Sequence, residues 1–90
     1  MKTIESLINP NKKVYVKMSS EEICKAFFAQ AESERFLFDD GEMPTAKHPS
    51  DLITVLPDKS LCYVNTYGRI AMQSGTENII VYDYEKIFAD

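Results

Sequence analysis

The sequence predicts an α+β domain in which one main helix packs on a sheet of short strands, as a two-layer sandwich. Residues 19–34 carry apolar side chains at spacings of three and four, the pattern of an amphipathic helix. Segments on both sides of it alternate apolar and polar residues, which is typical of strands. Because short turns separate the later strands, we expect a strand, the helix and then a meander, giving an antiparallel sheet of about four to six strands. Residues 1–90 show no linker or repeat, which predicts a single domain.

The helix at residues 19–34 has the clearest signals. Ser19 followed by Glu22 fits a capping box, in which each side chain satisfies a backbone donor at the start of a helix. The apolar stripe of the helix is predicted to face the core. It comprises Ile23, Cys24, Phe27, Phe28 and Ala31.

Two elements are predicted before this helix. Residues 1–10 indicate a short N-terminal helical segment, which is too short to be stable alone and therefore either docks on the body or is mobile. Residues 12–18 alternate as a strand, so that Val14 and Val16 would face the core and Tyr15 would face outward.

Beyond the helix, further strands are predicted wherever short apolar runs alternate. They lie at residues 35–38, 52–56, 61–64, 69–73 and 79–84. Proline followed by aspartate at 57–58 favours a turn, and this predicts a hairpin between the second and third of them. Residues 65–68 are expected to form another turn, and 39–51 the longest loop.

Charge and composition exclude several classes of function. Ten basic and fourteen acidic residues give a formal net charge of −4, which argues against direct nucleic-acid binding through phosphate neutralisation. No apolar run is long enough for a membrane helix, and no signal peptide is recognisable, so we expect a cytoplasmic protein. Cys24 and Cys62 then behave as small core residues with free thiols.

The sequence offers no catalytic set. His48 is the single histidine, which excludes metal sites that require two or more, and we expect no metal and no cofactor. The three glycines match neither GxGxxG nor a phosphate-binding loop. A Cys–His pair or the acidic residues of the 39–51 loop would be the remaining candidates for chemistry, but no nucleophile, base and orienting group occur together. We therefore expect a protein that is not an enzyme.

Tyrosines provide the best functional signal. Tyr82 and Tyr84 share one face of the last strand, and Tyr15 points away from the predicted core side of the first. Exposed tyrosines are typical of protein contacts, because they bring a large area at a low entropy cost. The sequence therefore predicts a tyrosine face, formed by Tyr15, Tyr82 and Tyr84, that binds another protein or a second copy of the chain. A free strand edge of the sheet is an alternative contact site.

A small-molecule or nucleotide site is the alternative function. The loop at 39–51 would close a pocket, in which Lys47, His48 and Arg69 would contact an anion. The candidate residues are Asp39, Asp40, Lys47, His48 and Arg69.

Several short motifs carry a resemblance to a known group of proteins. They are Ser20-Glu21-Glu22 before the helix, Phe36 with Phe38, DGEMPT at 40–45, and Asp83-Tyr84-Glu85-Lys86 at the end. Over residues 12–87 the chain resembles small uncharacterised proteins encoded in prophages and conjugative elements of Firmicutes. The resemblance implies no activity. It implies a small accessory protein that binds and modulates a host or defence-related protein. Homo-oligomers are expected on separate grounds, because a small sheet leaves unpaired strand edges.

Overall fold

The computed structural model describes residues 3–75 and 78–88. Its strands are β1 (Lys13–Lys17), β2 (Leu37–Phe38), β3 (Leu52–Val55), β4 (Ser60–Tyr63) and β5 (Ile79–Asp83). Its α-helices are α1 (Glu21–Ser33), α2 (Thr66–Gln73) and α3 (Tyr84–Phe88). Short 3-10 helices lie at Glu5–Leu7 and Pro44–Ala46.

The described strands form one sheet in the order β2-β4-β3-β1-β5. The α+β class is confirmed, with α1 packed on the sheet, and so is the β3–β4 hairpin. β1 also pairs with β3 in antiparallel fashion. The predicted antiparallel meander is wrong for two pairs, since β1–β5 and β2–β4 are parallel. These pairs join strands that are distant in sequence, so the turns between neighbouring strands carry no information about them.

The apolar stripe of α1 faces the core as predicted: four of its residues are buried and Ile23 is half-buried. The predicted cap is wrong by one residue. Ser20 is the N-cap, because its hydroxyl oxygen accepts a hydrogen bond from the Ile23 N–H at 3.2 Å. The hydroxyl of Ser19 instead bonds Glu85 in the first turn of α3, so it joins two helices that are far apart in sequence.

The N-terminal segment is docked on the body. Ile4 and Leu7 are buried among the core side chains. The Glu34 carboxylate, just after α1, accepts hydrogen bonds from the backbone N–H groups of Ile4 at 2.9 Å and Glu5 at 3.0 Å. A carboxylate at this place satisfies donors that a short helix leaves unpaired, which fixes the segment against the end of α1.

Residues 69–73 are not a strand, as the sequence predicted, but belong to α2. Asn65 begins this helix, since its side-chain oxygen accepts a hydrogen bond from the Gly68 N–H at 2.8 Å. The helix lies on the sheet face opposite α1, where Met72 packs against a small second cluster. The buried members of that cluster are Tyr15, Leu52 and Val64.

Candidate functional site

The predicted tyrosine face does not exist as one exposed surface. Tyr15 is only 3% exposed, because α2 covers the sheet face on which it lies. Tyr82 and Tyr84 pack on the opposite side of the sheet, against the core under α1. The Tyr84 ring contacts the edge of Phe27 at 5.4 Å between centroids, and its hydroxyl donates to the Gln30 side chain at 2.7 Å. These tyrosines hold the fold together rather than forming a shared contact surface.

The loop at 39–51 is organised by its own charges. Lys47 bonds Asp40 directly and lies 3.6 Å from a carboxylate oxygen of Glu42. The hydrogen bond from Lys47 lowers the pKa of the Asp40 carboxyl below its ordinary value, and the same contact raises the pKa of Lys47. Since Lys47 is already paired with carboxylates, it is a poor candidate for binding an external anion.

Arg69, the predicted anion contact on the later chain, is also paired. Its guanidinium makes two hydrogen bonds to the Asp51 carboxylate, at 2.7 Å and 3.2 Å. The bond from Arg69 lowers the pKa of Asp51. The pair ties α2 to the residue that precedes β3. Of the predicted loop site, the structure therefore joins Asp40 with Lys47, and it places Arg69 in a separate ion pair.

The other two residues of the predicted loop site, His48 and Asp39, are positioned by backbone hydrogen bonds. His48 has an exposed side chain, and its backbone carbonyl accepts a hydrogen bond from the Tyr63 hydroxyl at 2.8 Å. Asp39 continues the β2–β4 pairing, because its N–H donates to the Leu61 carbonyl at 2.9 Å. The loop thus packs on the body through backbone contacts.

A groove lies on the other side of the molecule, between the sheet and α2. Its volume is about 360 Å³. Its floor is a row of three side chains on neighbouring strands, since Tyr15 is opposite Thr54 and Thr54 is opposite Cys62. We call it the Tyr15 groove. The residues that define it are Lys13, Tyr15, Thr54, Cys62, Asn65 and Tyr67.

The two cysteines are separated by the sheet. Cys24 belongs to α1 and is buried on its core-facing side, where its sulfur accepts a hydrogen bond from the Ser50 N–H at 3.3 Å. Cys62 lies on the opposite face, half-buried in the Tyr15 groove. Burial raises the pKa of both thiols, and the neighbouring Thr54 hydroxyl acts in the opposite direction on Cys62. Both thiols are free, and neither is activated as a nucleophile.

We expect Cys62 to be alkylated before Cys24 in the native protein, because only Cys62 opens onto a groove. Mass spectrometry of peptides after a time course with iodoacetamide measures the rate of alkylation at each cysteine. In urea the two thiols should react at similar rates, and Cys62→Ser should abolish the early modification. Equal native rates at Cys24 and Cys62 would contradict the described burial.

The outer edge of β5 is the second candidate surface. β5 pairs with β1 on one side, and no other strand in the described part of the chain pairs with it. Its sequence, IIVYD, contains neither proline nor lysine. The central residue, Val81, is 42% exposed on the face that carries α2. The sequence identified this segment as a strand, but it did not show that the strand lies at an edge.

Comparison with protein-family models, with curated proteins and with solved structures finds no match. Within residues 3–75 and 78–88, no group of three or more His, Cys, Asp and Glu side chains is placed to hold a metal ion. None of the helices described is both long enough and apolar enough to cross a membrane. The β5 edge and the Tyr15 groove are the two candidate functional surfaces in the described part of the chain.

Proposed function

We propose that the protein is a non-enzymatic binding protein that acts by pairing the outer edge of β5 with a strand of a protein partner. The single observation that supports this is an edge strand of five residues with no described strand on its outer side. Such an edge presents unpaired backbone N–H and C=O groups, which form a template for another strand.

The contrast between the two edges of the sheet strengthens the proposal. β2, at the opposite edge, has only two residues, and a very short strand offers little backbone to a partner. β5 has neither this protection nor the lysines and prolines that commonly prevent edge pairing. Its one charged side chain, Asp83, accepts a hydrogen bond from the Glu85 N–H at 3.1 Å at the start of α3. The rest of the edge is apolar or aromatic.

A second copy of the chain is the partner that this strand fits best. If two β5 strands pair antiparallel about Val81, each Val81 lies opposite its own copy, and Ile80 lies opposite the second copy's Tyr82. Apolar side chains then meet on both faces of a sheet that continues through both molecules. A strand from a host protein would use the same edge and would compete with this self-association.

Val81→Lys tests the proposal, with Met43→Lys as its matched control. Both residues are exposed to a similar extent, 42% and 49%. Met43, however, lies in the loop that follows β2, and β2 is at the opposite edge of the sheet from β5. We expect the wild type to dimerise with rising concentration, and Val81→Lys to weaken the dimer at least about tenfold, or ~1.4 kcal/mol. Met43→Lys should leave the dimer unchanged.

Light scattering over a wide concentration series measures the dissociation constants, and circular dichroism checks that each variant is folded. A wild type that stays monomeric throughout the series would overturn self-association. A Val81→Lys dimer as stable as the wild type would show that β5 is not the contact strand.

A further inference from the structure

The Tyr15 groove has the size of a ligand site. Pockets for small molecules typically enclose about 300–1,000 Å³, and the groove volume of about 360 Å³ lies at the lower end of this range. Its floor crosses β1, β3 and β4 through Tyr15, Thr54 and Cys62. With neighbouring strands about 4.8 Å apart, this row is about 10 Å long, which matches a single ring system with one substituent.

The Tyr15 hydroxyl is the first group that points to a ligand. The side chain of Tyr15 is almost fully buried, with 3% exposure, but its hydroxyl oxygen lies at the groove wall beside Gly68. No hydrogen bond joins this hydroxyl to any residue that the structure describes. Among the described residues, no buried side-chain nitrogen or oxygen atom lacks a partner, so this hydroxyl is open to the groove. There it can form a hydrogen bond with water or with a bound molecule.

The other polar groups of the groove are mainly donors. Among the described residues that line it, Lys13 carries the only charge, and it precedes Tyr15 by two residues on the same face of β1. The side-chain oxygen of Asn65 is used by the Gly68 N–H, which leaves the amide NH₂ as a donor. Besides burial, the Asp39 carboxylate raises the pKa of the Cys62 thiol, so a negative charge lies near the Cys62 end of the groove. The charge therefore favours an anionic group at the Lys13 end.

Tyr67 provides an aromatic surface at the mouth of the groove. It is 83% exposed, an unusual position for so large an aromatic side chain. It lies in the first turn of α2, next to Asn65 and Gly68. A planar ring stacked on Tyr67 would remove its apolar surface from water and would gain the offset-stacking contact that aromatic groups prefer.

We propose that the Tyr15 groove binds a small planar ring compound that carries one anionic substituent, a carboxylate or a phosphate. The ring contacts Tyr67 and receives hydrogen bonds from the Tyr15 hydroxyl and the Asn65 amide. The anionic group lies at Lys13. This site is separate from the β5 edge, so binding does not depend on self-association.

Two-dimensional NMR titration and calorimetry with defined probes test the site. AMP and benzoate combine a ring with an anion, adenosine and benzamide keep the ring without the charge, and inorganic phosphate is an anion without a ring. We expect AMP or benzoate to bind more tightly than its neutral analogue and than phosphate, with shifts at the groove residues. Binding of AMP but not benzoate would identify the anionic group as a phosphate, and the reverse would identify it as a carboxylate.

Matched variants link binding to named atoms. Tyr15→Phe and Lys13→Gln should each weaken binding roughly 3- to 10-fold, because each removes one hydrogen bond or charge contact. Tyr82→Phe, on the opposite sheet face, and Lys12→Gln, outside the groove, are the controls and should bind as the wild type does. A bound ligand should also slow alkylation of Cys62.

Three results would overturn the proposal. The first is the absence of groove shifts with every probe at millimolar concentration. The second is binding that Tyr15→Phe and Lys13→Gln leave unchanged, since the ligand would then lie elsewhere. The third is binding of phosphate as tight as that of AMP, because this would show an anion contact without any recognition of the ring.

Discussion

Phe27→Ala is expected to lower the free energy of unfolding by roughly 3–5 kcal/mol, the largest effect of any single change considered for this chain. Phe27 is fully buried in α1 and contacts the rings of Phe28, at 6.0 Å between centroids, and Tyr84, at 5.4 Å. Truncation removes the ring's transfer free energy and leaves a cavity that the surrounding side chains fill only in part. Since domains of this size are stable by about 5–15 kcal/mol, the loss is a large share of the total.

The effect of Phe27→Ala should extend to the β5 edge. Tyr84 begins α3 directly after β5, and its ring rests against Phe27. Loss of the Phe27 ring removes one of the contacts that hold this end of the chain on the core. In hydrogen exchange, we therefore expect the amides of β5 to lose more protection than those of the β3–β4 hairpin.

Urea denaturation followed by circular dichroism measures the loss, and Tyr67→Ala is the matched control. Tyr67 is an aromatic residue of comparable size but is 83% exposed, so its truncation should change stability by no more than about 0.5 kcal/mol. If Phe27→Ala does not fold, Phe27→Leu keeps most of the volume and should show a smaller loss. A Phe27→Ala variant as stable as Tyr67→Ala would contradict the described core.

The sequence predicted the parts of the fold that local pattern controls. The stripe of α1 is set by side-chain spacing along one helix, and the alternation of β1 correctly places Val14 and Val16 under it. The hairpin follows from the proline turn between two apolar runs. Each of these signals lies within a short segment of the sequence, so it can be recognised without information about the rest of the chain.

The candidate site could not be predicted because it depends on α2. The segment around Ile70 and Met72 fits a strand and a helix equally well over so few residues. Asn65 is the signal that separates the two, because asparagine fits an N-cap as well as the turn that the sequence predicts here. Once α2 covers the second sheet face, Tyr15 becomes buried and a groove opens beside it. The missed helix therefore explains the burial of Tyr15, whereas Tyr82 and Tyr84 leave the predicted surface because they pack on the core under α1.

Gly68→Ala tests this dependence on α2, because two principles predict opposite outcomes. Alanine favours a helix by up to about 1 kcal/mol over glycine. However, a Cβ atom at Gly68 would lie 2.8 Å from a methyl group of Val64 and 2.9 Å from the Tyr15 hydroxyl. Overpacking of this kind typically costs about 1–3 kcal/mol, so we expect the contact to prevail and the variant to be destabilised.

Urea denaturation gives the sign of the effect, and Gln73→Ala, at an exposed position of the same helix, is the control. Gln73→Ala adds helix propensity without a clash and should be neutral or slightly stabilising. Since the clash lies at the wall of the Tyr15 groove, Gly68→Ala should also shift the NMR signals of Thr54 and Cys62. A stabilised Gly68→Ala variant with unchanged signals would mean that α2 does not rest on Tyr15. The Tyr15 groove would then lack one of its walls, and the ligand site proposed there would lose its support.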